Sequence, residues 1–252
     1  MDSKIVNKLI FIFLVSIWPA WPCAASESLE CLIEPRVTVE FGSHTPGVLE
    51  EVLVDRGDHI KKGQVLARLK SGVEEAVVAQ IRTTLDFARR KNGRYQDLSS
   101  ANLIARQDKD EIETDMRKLE KQLQEAEERL KLRTIRSTID GIVTERKLYA
   151  GAYVGENTPI IKASAIDPLN VEVVVPLRLH GSIKKGMEAE ISPEEPVGGV
   201  YKGTVTIVDQ VMDAASGTFG VRVELPNRQY LIPAGLKGKI HFISTAVRSM
   251  NN

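Results

Sequence analysis

The residue types that most often carry chemistry are few in this sequence and lie far apart. The histidines are isolated from one another, with no paired cysteine or carboxylate at metal-ligand spacing: His44, His59, His180 and His241. The methionines after the first residue are equally dispersed: Met116, Met187, Met212 and Met250. The sequence contains neither a nucleophile elbow nor a phosphate-binding loop. We therefore expect a protein that is not an enzyme and that uses no metal or other cofactor.

The bulk composition excludes further classes. The 252 residues carry 34 basic and 34 acidic side chains, so the formal net charge is zero. This gives no electrostatic reason to expect nucleic acid or an anionic membrane surface as the main partner. Aromatic residues make up 5% of the chain, which is too few for platforms that stack bases or sugars. The length suits one elongated unit or two compact ones.

The N-terminal segment is typical of a secretory signal peptide. Lys4 and Lys8 precede a largely apolar run over residues 9–18, and Cys23-Ala24-Ala25 offers small residues to a signal peptidase. We expect cleavage to remove residues 1–25. An uncleaved membrane anchor and a lipidated Cys23 are the alternatives. Cleavage would leave Cys31 as a single cysteine, either buried or able to pair between subunits.

Two stretches of the chain repeat one short motif with an offset of about 94 residues: "GVLEEVLVDRGDHIKKGQVLARL", from Gly47, and "GIVTERKLYAGAYVGENTPIIKA", from Gly141. Each reads as a strand, a glycine turn and a second strand. The turn glycines are Gly57 and Gly151, and Gly63 is matched by Asn157, another residue that tolerates positive φ. Neither copy could bury its apolar face alone. Together they predict one small β-sandwich, formed by residues 26–72 and 134–166.

The segment between the two copies, residues 73–133, has a helical period. Apolar residues of its second half step by four and three residues as in a heptad seam: Ile112, Met116, Leu119, Leu123, Ala126 and Leu130. The first half carries a similar pattern from Val78 to Tyr95, and "SSANLIA" from Ser99 is the turn. The pattern predicts an antiparallel coiled-coil hairpin inserted into the sandwich. Its charged residues indicate a solvated face.

The last part of the chain changes period again. Short β-rich runs separated by Gly, Pro, Asn and Asp predict a small antiparallel β-barrel over residues 167–243, followed by a polar tail over residues 244–252. The predicted fold is therefore mixed α and β and elongated. It consists of a split lipoyl-like sandwich, an inserted helical hairpin and a barrel.

The two half-motifs look like biotinyl/lipoyl modules, which in carrier proteins are joined by a turn that presents a modifiable lysine. Here the hairpin replaces that turn, and Lys70 precedes Ser71-Gly72 in a context unlike a carrier turn. A carrier protein is thus one alternative, and a periplasmic scaffold unrelated to a pump is another.

The order of these parts resembles the periplasmic adaptor proteins, or membrane fusion proteins, of tripartite efflux pumps, of the RND-type and HlyD-like kind. The resemblance covers residues 47–242. It is strongest at "LKLRTIRSTIDGIVTERKLYAGAYVGENTPIIKASAIDPLNVEVVVP", from Leu130, which keeps the order of helix end, Asp-Gly strand, Gly-x-x-Val turn and Asp-Pro-Leu entry to the barrel. The family's hairpin-tip motif is an Arg, a Leu and a Ser. Arg94 and Leu98 match it, and Ala105 stands at the Ser position.

The resemblance implies partners rather than a reaction. It implies an inner-membrane transporter of RND type, an outer-membrane exit duct that meets the hairpin tip, and self-association into a hexameric ring. It also implies a periplasmic protein associated with the inner membrane. Because little sequence follows Phe242, the barrel or a retained N-terminal anchor is expected to contact the transporter. Exported compounds need not bind this chain.

Overall fold

The computed structural model describes residues 28–100 and 106–243, which form a barrel, a sandwich and a helical hairpin. The predicted signal peptide, residues 101–105 of the "SSANLIA" turn and the predicted tail lie outside these residues. The strands preceding the hairpin are β1 to β4: Leu29–Gly42, Gly47–Val52, His59–Ile60 and Val65–Leu69. The helices are α1, Gly72–Ser100, and α2, Arg106–Lys131. The strands after it are β5 to β12: Thr134–Arg136, Gly141–Arg146, Tyr153–Val154, Pro159–Pro176, Glu188–Pro193, Tyr201–Val208, Thr218–Leu225 and Leu236–Phe242.

The barrel is a closed antiparallel cylinder in the strand order β1-β12-β9-β10-β11-β8, with β8 pairing back to β1. Strand β8 shows why these residues form strands, because from Leu169 to Val175 buried aliphatic side chains alternate with more exposed ones. Closure removes the free edges that an open sheet would expose. The barrel interior is filled by one cluster of side chains from these strands, with Ile232 of the β11–β12 connection buried among them.

Two strands belong to both the barrel and the sandwich, which differs from the predicted boundaries. The first part of β1, Leu29 to Ile33, pairs with β12 and with the second half of β8. Its second part pairs with the first half of β8 inside the sandwich. Residues 29–35 therefore complete the barrel, and the barrel has no boundary at residue 167 because β8 runs on without a break. The physical reason is closure, since residues 167–243 alone leave the cylinder one strand short.

The sandwich consists of two small sheets. One contains the second part of β1 and the first half of β8, together with β6 and β3. The other has the order β5-β4-β2-β7. Their facing side chains form a second core, which includes the fully buried Leu49, Leu66 and Ile160. The hairpin leaves this core after β4 and returns to it at β5, which pairs with β4. The predicted fold class, a split sandwich with an inserted hairpin and a following barrel, is confirmed.

The hairpin helices contain 29 and 26 residues, so α1 is about 43 Å long at about 1.5 Å per residue. Within α1, Glu74 and Glu75 lie in the first turn, where they complement the helix dipole, and Arg129 and Lys131 do so in the last turn of α2. Across residues 28–100 and 106–243, no helix combines the length and apolar character that a membrane span needs.

Candidate interaction site: the helical hairpin and its base

The two helices pack along one face each. On α1, Val78 and Leu85 are buried, and Leu85 is 1% exposed. The α2 residues of the predicted seam are buried or half-buried in the structure: Ile112, Met116, Leu119, Leu123, Ala126 and Leu130. These side chains alternate by four and three residues, which keeps them on the face toward α1. The seam therefore gives the hairpin a continuous apolar interior.

Asn92 is a polar exception in this interior. It is 9% exposed, and its side-chain carbonyl oxygen has no hydrogen-bond partner among the described residues. A buried amide at a core position lowers stability relative to an aliphatic side chain and can favour one register of packing. Gly93 follows it, and a glycine inside a helix costs about 1 kcal/mol relative to alanine. The distal third of α1 is therefore less stabilised than the part near the sandwich.

Among the described side chains of the hairpin, two ion pairs cross between the helices. Arg82 contacts Glu127 at 2.8 Å, and Arg89 contacts Glu120 at 3.3 Å. All four side chains are about half exposed, so each pair contributes no more than about 1 kcal/mol. The pairs nevertheless match one alignment of the helices, since slippage by a turn would separate both. They add specificity to a packing that the apolar seam stabilises.

Arg133 joins the hairpin base to the sandwich. Its guanidinium contacts the carboxylate of Glu74 in the first turn of α1, and its other terminal nitrogen donates a 2.8 Å hydrogen bond to the carbonyl oxygen of Pro46. The side chains of Arg133 and Glu74 are 20% and 19% exposed, so solvent weakens this pair less than the pairs along the hairpin. A Cβ on Gly47 would lie 2.8 Å from the guanidinium. Gly47 therefore leaves the space that this arginine occupies.

The remaining predicted glycines lie in the turns and strands of the sandwich. Gly57, Gly63 and Gly151 have φ values of 96°, 86° and 89°, in the left-handed region that favours glycine, and Asn157 has φ of 59°. Gly141 has a different role, because a Cβ there would lie 2.3 Å from the carbonyl oxygen of Ser164. Turn conformation and close strand approach thus account for these positions in the structure.

Of the three residues predicted at the hairpin tip, the structure places two on α1. Arg94 is exposed, and Leu98 lies near the end of the helix, which reaches Ser100. Ala105 lies outside the described residues. The role of all three in docking stays a prediction.

The histidines are dispersed in space as they are in sequence. His44 is exposed, the His59 ring lies 4.8 Å from that of Tyr230, and the His180 ring packs edge-on against Phe219 at 5.3 Å. His241 lies on β12 of the barrel. Within the described ranges, no set of three His, Cys, Asp or Glu side chains is arranged to hold a metal ion.

The Cys31 thiol and the Glu40–Lys147 pair have shifted pKa values with clear causes. Cys31 is buried in the barrel core, and this desolvation raises the pKa of its thiol to about 11. Lys147 donates a 2.6 Å hydrogen bond to Glu40, which lowers the pKa of the Glu40 carboxyl and raises the pKa of Lys147. Cys31 is thus a buried thiol rather than an exposed one.

Sequence reasoning missed three residues that fix the geometry around this site: Arg133, Asn227 and Tyr230. Asn227 is 4% exposed, and its side chain hydrogen-bonds to the backbone of Ile166 and of Ile232. Its backbone amide donates to the carboxylate of Asp167. It holds the β11–β12 connection at the point where β8 passes from sandwich to barrel. Tyr230, in that connection, contacts His59 of the sandwich. An Asn after a strand was the available signal, but two of its partners, Ile166 and Asp167, lie 61 and 60 residues away.

Comparison with known protein families separates the same two β units. Residues 38–164 match the model of the CzcB-like barrel-sandwich hybrid domain, and residues 169–246 match the model of the CusB-like β-barrel domain. The first match contains the sandwich and the whole hairpin, and it covers half of the chain. Together the two matches account for nearly all of the described residues.

Individual relatives are distant in sequence. The chain is 22% identical over 191 residues to an uncharacterised protein of Haemophilus influenzae, covering 76% of this chain and 50% of that protein. It is 24% identical over 213 residues to the multidrug resistance protein MdtA of Escherichia coli, with 76% and 51% covered. The chain thus spans about half the length of the curated relatives it matches.

Among solved structures, the fold is similar to that of a MacA-MexA chimera containing the α-hairpin domain of Pseudomonas aeruginosa MexA. The TM-score is 0.74 at 19% identity, over 87% of this chain and 81% of the chimera. The sandwich, hairpin and barrel therefore recur together in a protein of known structure. From the two domain matches and this shared architecture, the chain belongs to the periplasmic adaptor, or membrane fusion protein, family.

Proposed function

We propose that this chain is the periplasmic adaptor subunit of a tripartite efflux system. In this proposal it links an inner-membrane transporter, of RND type, to an outer-membrane exit duct. The observation that carries the proposal is the long hairpin fixed at its base by Arg133, which can hold a tip at a set distance from the sandwich. Family membership supports the same role. The chain supplies geometry and contacts, and the proposal assigns no chemical step to it.

The hairpin is suited to act as a spacer that holds its tip at a fixed distance from the sandwich. Its α1 helix extends about 43 Å. Its seam is apolar except at Asn92, and the Arg82–Glu127 and Arg89–Glu120 pairs hold one alignment of the helices. We propose that the tip, with Arg94, Leu98 and Ala105, docks end-on against the exit duct. An arginine and a leucine at such a tip supply one cationic and one apolar contact.

We further propose that the chain assembles into a ring, a hexamer in this family, because one narrow subunit cannot enclose a conduit. Helix α1 carries apolar side chains outside its seam that face solvent in the single chain: Val73, Val77 and Phe87, with exposures of 75%, 42% and 56%. A neighbouring hairpin could cover them. The surrounding surface is charged, so the contacts between copies should be small, hydrated and reversible.

Photo-crosslinking in intact cells tests the docking role. A photoreactive amino acid at position 98 should capture the outer-membrane duct, and the captured protein is identified by mass spectrometry. The matched control is position 80, where Gln80 is exposed on the same helix well below the tip. The control should not capture the duct. Capture of sister copies alone from position 98 would contradict end-on docking and favour a periplasmic scaffold.

The ring is tested separately by native mass spectrometry of the chain and of its Phe87→Lys variant. We expect the variant to lose higher oligomers, because a lysine ammonium would be desolvated against the neighbouring hairpin. Ala79→Lys adds the same charge at an exposed position on another face of α1, so this control should assemble as the parent does. Equal assembly of all three chains would remove this face of α1 from the proposed contact.

A further inference from the structure

The packing of the hairpin changes at Asn92 of α1. The two described ion pairs between the helices start from Arg82 and Arg89, so both lie between Asn92 and the sandwich. From one pair to the next, the contact moves seven residues along α1 and seven residues back along α2. Three residues further in the same register, Asn92 is level with residue 117, next to Met116 of the seam. Asn92 is thus a seam residue about one turn beyond the second pair.

Asn92 carries a polar group that the packed seam leaves unsatisfied. Its side-chain carbonyl oxygen is shielded from solvent and accepts no hydrogen bond from the described residues. A buried acceptor without a partner raises the free energy of the packed state, and it regains hydrogen bonds when water reaches it. A buried polar group that rigidifies one packing does so when its hydrogen bonds are satisfied. The unpaired oxygen therefore makes it easier to separate the helices at this level.

Gly93 weakens the helix at the same place. A Cβ on this glycine would meet no other part of the chain within 4 Å, so the packing of the hairpin does not require a glycine here. A glycine in a helix favours unfolding, because it gains more backbone freedom in the unfolded chain than alanine does. Two neighbouring residues thus act in the same direction, Asn92 through the seam and Gly93 through the helix backbone.

The seam beyond Asn92 excludes water less completely than the seam toward the sandwich. Among the described side chains beyond it, Ile112 is buried and Tyr95 is half-buried. The Lys91 ammonium lies 5.6 Å from the centre of the Tyr95 ring, so this ring borders a solvated cation. Toward the sandwich, the seam contains Leu85, which is 1% exposed. Separating the helices therefore exposes less buried apolar surface among the described residues beyond Asn92 than among those below it.

The other end of the hairpin is fixed to the sandwich. Arg133 contacts Glu74 and donates a hydrogen bond to the carbonyl oxygen of Pro46, so the base of the helices is held on both sides of the insertion. We call residues 72–91 and 117–131 the proximal part of the hairpin, and residues 92–100 and 106–116 the distal part. The proximal part contains both ion pairs and the more deeply buried seam. The distal part begins at the two residues that weaken the packing, so the two parts differ in stability.

We propose that the distal part opens and closes as one unit while the proximal part stays packed. Opening separates α1 from α2 beyond residue 91, brings water to the carbonyl oxygen of Asn92 and exposes Ile112. In the closed form the hairpin is a rod of fixed length. In the open form its end can change shape to fit a surface that it meets, without disturbing the base. The inference rests on packing within one chain, so it does not depend on docking at the tip or on the ring.

Hydrogen exchange with mass spectrometry on the full purified chain tests this inference, with overlapping peptides that separate the two parts in both helices. In low denaturant, we expect the distal amides of α1 and α2 to converge on one protection factor, about ten-fold or more below that of the proximal amides. The step between the two levels should fall at residue 92. Simple fraying from the turn would instead give protection that falls gradually toward the tip. A gradual fall without a step at residue 92 would overturn the proposal.

Variants of the two weakening residues test the cause of the step. Asn92→Leu replaces the unpaired amide with an aliphatic seam residue, and it should slow distal exchange in both helices by about ten-fold or more. Gly93→Ala should slow it by up to about five-fold. The matched control is Gln107→Leu, the same change from amide to leucine at an exposed position on the face of α2 away from the seam, and it should leave distal exchange unchanged. Unchanged distal exchange in Asn92→Leu, or equal slowing in Gln107→Leu, would contradict the proposal.

Discussion

The amide of Gly57 donates a 2.9 Å hydrogen bond to the carbonyl oxygen of Val143, in the other copy of the repeat. The reciprocal bond runs from the amide of Gly151 to the carbonyl oxygen of Leu49 at 2.8 Å. Each turn glycine thus bonds to the strand of the opposite copy. The same exchange occurs at a second set of equivalent positions. The amide of Gly63 donates to the carbonyl oxygen of Ser137, and the amide of Asn157 donates to the carbonyl oxygen of Ser43. The sandwich is an internal pseudo-dimer, and the hairpin connects its two halves.

The close approach of two strands at Gly141 makes it the sandwich glycine that should be least tolerant of substitution. We expect Gly141→Ala to destabilise the chain by about 1–3 kcal/mol or more, because the added Cβ would meet the backbone oxygen of Ser164, which has little freedom to move. Chemical unfolding followed by circular dichroism measures this. Gly93→Ala is the control on an open helix face and should stabilise the chain by up to about 1 kcal/mol. Equal stability of the two variants would show that the strands can separate at Ser164.

The hairpin base makes a second prediction. Arg133→Ala removes the contact with Glu74 and the hydrogen bond to the carbonyl oxygen of Pro46, so the first turn of α1 should exchange its amide hydrogens faster. We expect a loss of about 1–3 kcal/mol of local stability, since a half-buried charged hydrogen bond is removed. Hydrogen exchange with mass spectrometry resolves this region. Arg136→Ala, which removes a bond to Gly63 within the sandwich, is the control, and protection of α1 should be unchanged in it.

The seam is tested by Leu123→Asp, which places a carboxylate on the packed face of α2. The cost of burying an unpaired charge should unfold the hairpin while the barrel and sandwich stay folded. The measurement is the helical signal in circular dichroism, which should be lost. Gln124→Asp puts the same charge on the exposed neighbouring position and should preserve the helical signal. A normal signal in the Leu123 variant would show that the seam lies elsewhere.

The β11–β12 connection should depend on Asn227. In Asn227→Ala the backbone groups of Ile166 and Ile232 lose their buried partners, and we expect a loss of about 2–4 kcal/mol in the free energy of unfolding. Thermal unfolding measures the loss. Gln229→Ala, exposed in the same connection, should leave the melting temperature unchanged. If only the amide hydrogens around Tyr230 exchange faster and the overall stability is unchanged, the role of Asn227 is local instead.

Cys31 makes the stability depend on pH in the alkaline range. Burial raises the pKa of its thiol to about 11, whereas the thiol of the unfolded chain ionises near pH 9. The folded state therefore retains a proton that the unfolded state has lost, so stability falls as pH rises from about 9 to about 11. The slope is about 1.4 kcal/mol per pH unit. Cys31→Ala should remove this part of the slope, measured as the difference between the two chains. Parallel curves would mean that the thiol is accessible when folded.

The sequence by itself determined the elements and their class. Local periodicity was enough for the heptad seam, for the two strand-turn-strand copies and for the β-rich run after Pro168, because each pattern depends on residues a few positions apart. It also carried the family resemblance, which the domain matches confirm. The composition of the barrel strands, with inward aliphatic residues, followed from the same alternation.

Only the tertiary structure decided which strands close the barrel and which groups fix the joints. Leu29 to Ile33 join β12 because the cylinder lacks one strand without them, and closure is a property of the whole sheet that no local window contains. The bond from Arg133 to Pro46 and the contact of His59 with Tyr230 join residues far apart in the chain. Such pairs form when folded units meet, so their residue types give no periodic signal. Their geometry, more than the elements themselves, sets how the hairpin and the barrel are joined to the sandwich.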